Sequence, residues 1–116
     1  MPTYATWNPS DKHADITLSG GNLTAENAGS WKSVRATLGQ TTGKYYFEIT
    51  ITDNTFLTPG LATSAAALNN YPGSDAYGLG YFYDGSFFVG ATFTTNGKTG
   101  IGVVNGDILH VAVDFD

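Results

Sequence analysis

The chain has 116 residues and a net charge of −5, with ten carboxylates against five lysine and arginine side chains. That balance argues against a nucleic acid or an anionic membrane as partner, and the lack of cysteine excludes disulfides and thiolate metal sites. Fifteen glycines, many threonines and few strong helix formers predict a single all-β domain over residues 1–116. The sequence shows neither a signal peptide nor an apolar run of membrane-spanning length, so a cytoplasmic location is expected unless the chain belongs to a virion.

Turn residues divide the first part of the chain into short strands. Residues 3–7 alternate and run into Asn8-Pro9-Ser10-Asp11, which predicts a strand followed by a turn. Residues 16–18 and 22–25 flank the pair Gly20-Gly21, which predicts a β-hairpin.

The clearest alternation in the chain lies in residues 44–52. One face of this predicted strand carries Tyr45, Phe47, Ile49 and Ile51. Residues 33–38 predict a preceding strand, and the connection 39–43 is of hairpin length. The two strands are therefore expected to pair antiparallel.

The middle of the chain carries weaker strand signals and one long loop. Residues 55–63 predict a strand with an irregularity at Pro59-Gly60, because proline cannot donate to a ladder. Residues 65–68 predict one helical turn. Residues 69–75 predict a loop, and seven residues are enough for it to bind a ligand.

Three turn signals organise the remainder of the chain. An aromatic hairpin over residues 76–90 is predicted to turn at Asp84-Gly85 through a two-residue loop. Asn96-Gly97 follows a further short strand, and Asn105-Gly106 precedes a predicted strand over residues 108–115. Turns about ten residues apart are typical of a β-sandwich.

The order of these pieces resembles the SPRY domain family in the form met in bacteriophage and prophage proteins. Three segments carry the resemblance: Trp7-Asn-Pro-Ser-Asp11 with residues 16–24; residues 31–39 with Gly43-Lys-Tyr-Tyr-Phe-Glu48; and Gly106-Asp-Ile-Leu-His-Val-Ala-Val-Asp114. The second is similar to the family's "GKWYWE" strand and the third to its "GDVIGVALD" strand, while Gly60-Leu-Ala62 occupies the place of an "iGia"-like run. The resemblance covers nearly the whole chain.

The resemblance implies a concanavalin-like sandwich of two antiparallel sheets that binds proteins or glycans without a cofactor or catalytic machinery. In the family, the strand that matches residues 108–115 is followed by a hairpin partner and further strands. The resemblance therefore implies that this domain is incomplete at its carboxyl end. A gene or protein fragment would explain this, and so would a second chain that supplies the missing strands.

Few residues suggest chemistry. Glu48 lies in an aromatic strand and is a candidate general acid, against the alternative of a carboxylate paired with lysine, arginine or tyrosine. His13 and His110 stand apart from any acidic residue at ligand spacing, so neither catalysis nor a metal site is expected of them. Asp114 and Asp116 point the same way on a strand, but the oxygen-rich loops that bind calcium are absent.

The sequence thus predicts a non-enzymatic binding module of a phage or prophage tail-associated structural protein, with a protein or glycan as ligand. A purely architectural fibre or oligomerisation module and, more weakly, a sandwich-fold glycan hydrolase are the alternatives. A homo-oligomer within a larger assembly is left open. Tyr71 is expected to be free for a ligand because a Pro-Gly loop rarely needs its side chains for packing. The predicted ligand-binding residues are Asn69, Asn70, Tyr71, Asp75, Tyr83 and Asp84.

Overall fold

The computed structural model describes residues 4–94 and 102–116, and all regular elements in these two ranges are β-strands. The predicted all-β class is confirmed. The strands are β1 (Trp7–Lys12), β2 (Ile16–Ser19), β3 (Thr24–Asn27), β4 (Val34–Ala36), β5 (Lys44–Thr50), β6 (Gly60–Ala62), β7 (Gly78–Tyr81), β8 (Phe87–Val89), β9 (Thr92–Thr94) and β10 (Ile108–Asp114). Within the described ranges, no helix is long and apolar enough to cross a membrane.

Every strand pair among the described residues is antiparallel. Strands β6, β7, β8 and β9 form one sheet in that order, while β1–β4, β2–β3 and β5–β10 each form a two-stranded sheet. The β5–β10 ladder is the longest of these, running without a bulge from Ile108 opposite Thr50 to Asp114 opposite Lys44. Its regularity follows from two sequences that alternate apolar and polar residues in step.

The sheet β5–β10 turns its apolar face toward the four-stranded sheet. A cavity of about 200 Å³ lies between them, bordered on one side by Phe47, Leu109 and Val111 and on the other by Leu61, Leu79, Tyr81 and Phe87. Two sheets that face each other across an apolar space are consistent with a β-sandwich. The space is thinly filled, since the side chains named above stay partly exposed. The buried apolar residues of the described ranges are Ile16, Ile51, Ala66 and Val103, and none of them borders the cavity.

The predicted pairing of residues 33–38 with residues 44–52 is wrong. Strand β4 pairs with β1, and β5 pairs with β10. The predicted turn at residues 8–11 is instead a bulge within β1, where the Asn8 side chain accepts a hydrogen bond from Ser10 N at 2.9 Å. The bulge brings Asp11 to Arg35, and their bidentate ion pair, with both N–O distances 2.7 Å, ties β1 to β4.

The two hairpins predicted at Gly20-Gly21 and Asp84-Gly85 are present, the second with a different loop type. Strands β2 and β3 form the first hairpin, and β7 and β8 form the aromatic one. In the second, only Gly85 of the Asp84-Gly85 pair has a positive φ, at 88°. Phe82 O accepts from Gly85 N, and Phe82 N donates to Ser86 O at 2.9 Å, so the loop has three residues and a glycine bulge rather than two residues.

Two of the weaker predictions are corrected, and one predicted turn is confirmed. Of residues 55–63, only Gly60–Ala62 forms a strand, directly after Pro59. The helical turn predicted at residues 65–68 is replaced by a single turn over residues 63–66, which is closed by a hydrogen bond from Ala66 N to Thr63 O at 3.2 Å. The turn at Asn105-Gly106 is confirmed, with Gly106 at φ 97°. The predicted turn at Asn96-Gly97 lies outside the described residues.

Candidate functional site at the loop end

Five aromatic rings contact one another where the loops of the described residues meet. Trp31 is the centre of this Trp31 cluster, with ring centroids 5.3 Å from those of Phe56, Tyr71 and Phe82. Tyr71 also lies 5.1 Å from Phe82 and 5.2 Å from Phe88. Most of these contacts are edge-to-face, a geometry that adds about 0.5–1.5 kcal/mol per pair beyond area burial. The cluster therefore joins four separate segments of the chain.

Tyr71 packs against three other aromatic rings while remaining partly exposed, so the expectation that the loop would not need its side chain for packing is wrong. The error comes from treating residues 69–75 as a loop that stands away from the sheet. Gly73 instead lies on the β7–β8 backbone, where an added Cβ would approach Phe88 O to 2.3 Å, and its carbonyl accepts from Ala91 N at 2.9 Å. Gly80 of β7 makes the same close approach, since its Cβ would lie 2.0 Å from Pro72 O. The small strand residues thus let the loop fold back and pack Tyr71, which is partly buried, against neighbouring rings.

Asp75 fixes the far end of this loop. Its two carboxylate oxygens accept hydrogen bonds from Ala67 N and Tyr77 N, both at 2.9 Å. The bond from Ala67 N and then that from Tyr77 N lower the pKa of Asp75 below its usual value. The carboxylate is therefore an internal clamp that holds the loop in one conformation.

Asn69 and Asn70 remain exposed at the start of the same loop. The Asn70 side chain accepts from Tyr71 N at 2.9 Å, and its backbone carbonyl accepts a hydrogen bond from the Ser33 hydroxyl. Ser33 N also donates to Leu68 O at 2.9 Å. These bonds fix the backbone of Asn70, while the amide NH₂ group still faces solvent and is available to a ligand.

The turn of the aromatic hairpin combines one ordering residue with one exposed residue. Asp84 accepts from the hydroxyl and the backbone N of the buried Ser86, and the hydroxyl bond is the main reason that the pKa of Asp84 is lowered. Tyr83 is 47% exposed, and its carbonyl accepts from Val103 N at 2.8 Å. Because Phe82 precedes Tyr83 and contacts Tyr71, the structure brings this turn and loop 69–75 together.

Phe56 was not among the predicted ligand-binding residues, but it is exposed beside the Trp31 cluster. Its backbone has φ 53°, a left-handed conformation that costs a bulky residue about 1–3 kcal/mol. The ring packs edge-on against Trp31 at an interplanar angle of 85° and is still 40% exposed. The segment is held by Asn54, which donates from its side chain to Val103 O at 3.2 Å and from its backbone N to Asn105 Oδ1 at 2.8 Å. Sequence patterns carry no signal for such a conformation, because it depends on bonds to a distant segment.

The loop surface is defined here by Phe56, Asn69, Asn70, Tyr83 and Val104. All five are exposed, Val104 by 62%, and each lies on a segment that contacts the Trp31 cluster or is hydrogen-bonded to one that does. Of the other predicted residues, Tyr71 packs in the Trp31 cluster, and Asp75 and Asp84 accept the hydrogen bonds that hold loop 69–75 and the hairpin turn.

The remaining candidates lie elsewhere. Glu48 is paired with a tyrosine, as the structural alternative expected, because Tyr46 donates its hydroxyl to Glu48 Oε1 at 2.7 Å. His110 is isolated from acidic residues along the chain, but β10 places its Nδ1 against the Tyr46 hydroxyl and 3.2 Å from the same Glu48 oxygen. His13 Nδ1 lies 3.6 Å from Asp15 Oδ2.

The carboxylates at the end of β10 also have partners. Asp114 lies 3.8 Å from Lys44 Nζ and accepts from Asp116 N, and Asp116 accepts from Gly43 N. In the described part of the chain, no three histidine or acidic side chains group closely enough to hold a metal ion.

No family model matches the chain. The resemblance to SPRY domains therefore rests on the sequence segments described above.

Proposed function

We propose that this chain is a non-catalytic binding module that binds a partner protein through the loop surface. The observation that carries the proposal is Phe56, an apolar ring held partly exposed in a strained backbone conformation by contact with Trp31. Strain of this kind persists where the surrounding structure enforces it, and it is concentrated at functional sites.

The loop surface is preorganised for binding. The rings of the Trp31 cluster pack beneath it, and the clamps at Asp75 and Asp84 fix the two loops that carry its polar and aromatic groups. A ligand that meets fixed side chains does not have to order them, so more of the contact energy appears as affinity.

Of the two ligand classes expected from the sequence, the surface favours a protein. Phe56 and Val104 expose apolar groups, and Tyr83 adds an amphipathic ring. Exposed aromatic anchors with a rim of amides are typical of the centres of protein interfaces. A glycan site would offer more hydrogen-bonding groups around its ring.

For the fold, we propose the SPRY-type concanavalin-like sandwich. Support comes from the pairing of β5 with β10, since these strands carry two of the three segments that resemble the family. Further support comes from the cavity that the β5–β10 sheet shares with the four-stranded sheet. A tail-associated structural protein of a phage or prophage is the proposed setting, on the resemblance alone.

The test compares three purified variants in affinity capture and then in calorimetric titration against each captured protein. Phe56→Ala and Tyr83→Ala should each weaken binding about tenfold or more, the loss typical of an interface anchor. Tyr4→Ala is the matched control, because Tyr4 is 67% exposed and lies outside the loop surface. A partner that binds all three variants equally would refute the proposal. A stable homo-oligomer without any partner would favour the architectural alternative.

A further inference from the structure

Three polar side chains meet on the outer face of the β5–β10 sheet. Tyr46 and Glu48 project from β5, and His110 projects from the position on β10 that pairs with Glu48. The Tyr46 hydroxyl lies 2.7 Å from Glu48 Oε1 and is hydrogen-bonded to His110 Nδ1, which in turn lies 3.2 Å from Oε1. Three atoms thus form a closed triangle, here called the sheet-face triad.

The triangle fixes where the protons lie. A tyrosine hydroxyl has one proton, and its bond to the Glu48 carboxylate raises the pKa of Tyr46, so the hydroxyl is the donor at neutral pH. Because the Tyr46 hydroxyl directs its proton at Glu48 Oε1, an unprotonated Nδ1 of His110 would place its lone pair against two oxygen atoms. A proton on Nδ1 makes both of its contacts favourable, so the neutral imidazole is the Nδ1–H tautomer with Nε2 as acceptor.

The triad is exposed to solvent, and the ring of Tyr46 is held in place by its hydroxyl. Tyr46 is 58% exposed, and the residue opposite it on β10 is Ala112, whose methyl group can cover little of the ring. The hydroxyl bonds tether the ring at its far end. His110 adds a second ring whose centroid lies 6.0 Å away at an interplanar angle of 36°.

The charges around the triad disfavour an anionic ligand. The next pair along the same face is Lys44 with Asp114, 3.8 Å apart, so the nearby ammonium already faces a carboxylate. On the other side lie Thr50 and Ile108, which carry no charge. An anion would therefore meet the Glu48 carboxylate without an unpaired cation to offset it.

We propose that Tyr46, Glu48 and His110 form a saccharide-binding site on this sheet face, for a neutral pyranose ring. The apolar face of the sugar would stack on Tyr46. Glu48 Oε2, which the triangle does not use, and His110 Nε2 would each accept a hydrogen bond from a sugar hydroxyl. The site is separate from the loop surface, so it stands or falls independently of the proposed protein-binding function.

The first test is titration of ¹⁵N-labelled protein with the methyl glycosides of glucose, galactose, mannose and N-acetylglucosamine. At least one glycoside should shift the amide signals of residues 46, 48 and 110 in a saturable way. Tyr46→Ala should weaken that binding about tenfold or more, and Tyr46→Phe should keep the stacking while losing the tether. Tyr83→Ala, on the loop surface, should leave it unchanged.

Four outcomes of these experiments would contradict the proposal. Absence of shifts at the highest soluble concentration of all four sugars would refute it, and so would saturable shifts from a lysine-rich or arginine-rich peptide in their place. Loss of sugar binding in Tyr83→Ala but not Tyr46→Ala would assign the sugar to the loop surface. Imidazole ¹⁵N shifts that place the neutral proton of His110 on Nε2 would contradict the tautomer from which the hydrogen bonds are derived.

Discussion

The Trp31 cluster and the β5–β10 sheet both contain aromatic side chains, but the two regions cover them differently. In the cluster, loops fold back over the rings and are clamped by carboxylates, so Tyr71 is packed among Trp31, Phe82 and Phe88. The sheet leaves Tyr46 exposed on its outer face and borders an apolar cavity of about 200 Å³ with its inner face. Aromatic content alone therefore does not locate the core, because the covering segment decides whether a ring packs or binds.

Removal of the Trp31 ring should lower the stability of the protein more than any other change considered below. Trp31→Ala takes away three ring contacts at once and should lower the free energy of unfolding by about 3–5 kcal/mol. That is a large share of the about 5–15 kcal/mol that stabilises a typical domain. Urea denaturation followed by circular dichroism measures the loss. Tyr46→Ala is the control from the other region and should change stability by less than about 1 kcal/mol. Equal losses would show that the two regions contribute alike.

The contact between loop 69–75 and the sheet can be broken with one methyl group. Gly73 has φ 91°, and an added Cβ would approach Phe88 O to 2.3 Å, so Gly73→Ala should cost about 2–3 kcal/mol. Gly21→Ala is the matched control, with φ 69° and open space around its Cβ, and should cost about 1 kcal/mol.

Amide hydrogen exchange reports this effect locally. Ala91 N donates to Gly73 O, so its exchange should accelerate in Gly73→Ala and stay unchanged in Gly21→Ala. Unchanged protection of Ala91 in Gly73→Ala would show that the added methyl group does not separate the loop from the sheet, which would contradict the prediction.

The sequence predicts features that depend on neighbouring residues better than features that depend on contacts between distant segments. Alternation identifies β5 and β10 and the face of each that is apolar, because side-chain direction in a strand is a local property. The partner of β5 is not local. Hairpin length favoured residues 33–38, but the bond between Arg35 and Asp11 holds β4 against β1.

The candidate sites show the same limit. Loop 69–75 and the turn at Tyr83 were found from turn chemistry, whereas the roles of Tyr71 and His110 depend on contacts between distant segments. Phe56 was missed because nothing local favours a positive φ at phenylalanine.

The ion pair between Asp11 and Arg35 connects the loop end to β1 and should respond to acid. Arg35 also donates to Ala66 O at 2.7 Å, just before loop 69–75. The hydrogen bonds from Arg35 lower the pKa of Asp11 in the folded state. Its stabilisation is therefore complete above the unfolded value near pH 4 and is lost as pH falls through the lowered folded value.

Replacement of the charge isolates this contribution. Asp11→Asn should be less stable than the natural chain at pH 7 by about 1–2 kcal/mol, since the pair is partly screened by solvent, and the difference should shrink below pH 4. Asp15→Asn removes a more exposed carboxylate and serves as control. Unfolding measured in urea between pH 2 and pH 7 would contradict the assignment if the difference between the natural chain and Asp11→Asn stayed constant.

The smallest expected effect tests the cavity from inside. Val111 borders it from β10, and Val111→Ile adds one methylene while keeping the branched side chain that a strand favours. If the space is accessible to the added group, stability should rise by up to about 0.8 kcal/mol. A closed, fully packed interior would instead lose about 1–3 kcal/mol from overpacking, so the sign of the change separates the two cases. Ala112→Val, the next residue on the outer face, should change stability by less than about 0.5 kcal/mol. A gain confined to Val111→Ile would show that the sheet is undercovered on its inner face, in contrast to the packed Trp31 cluster.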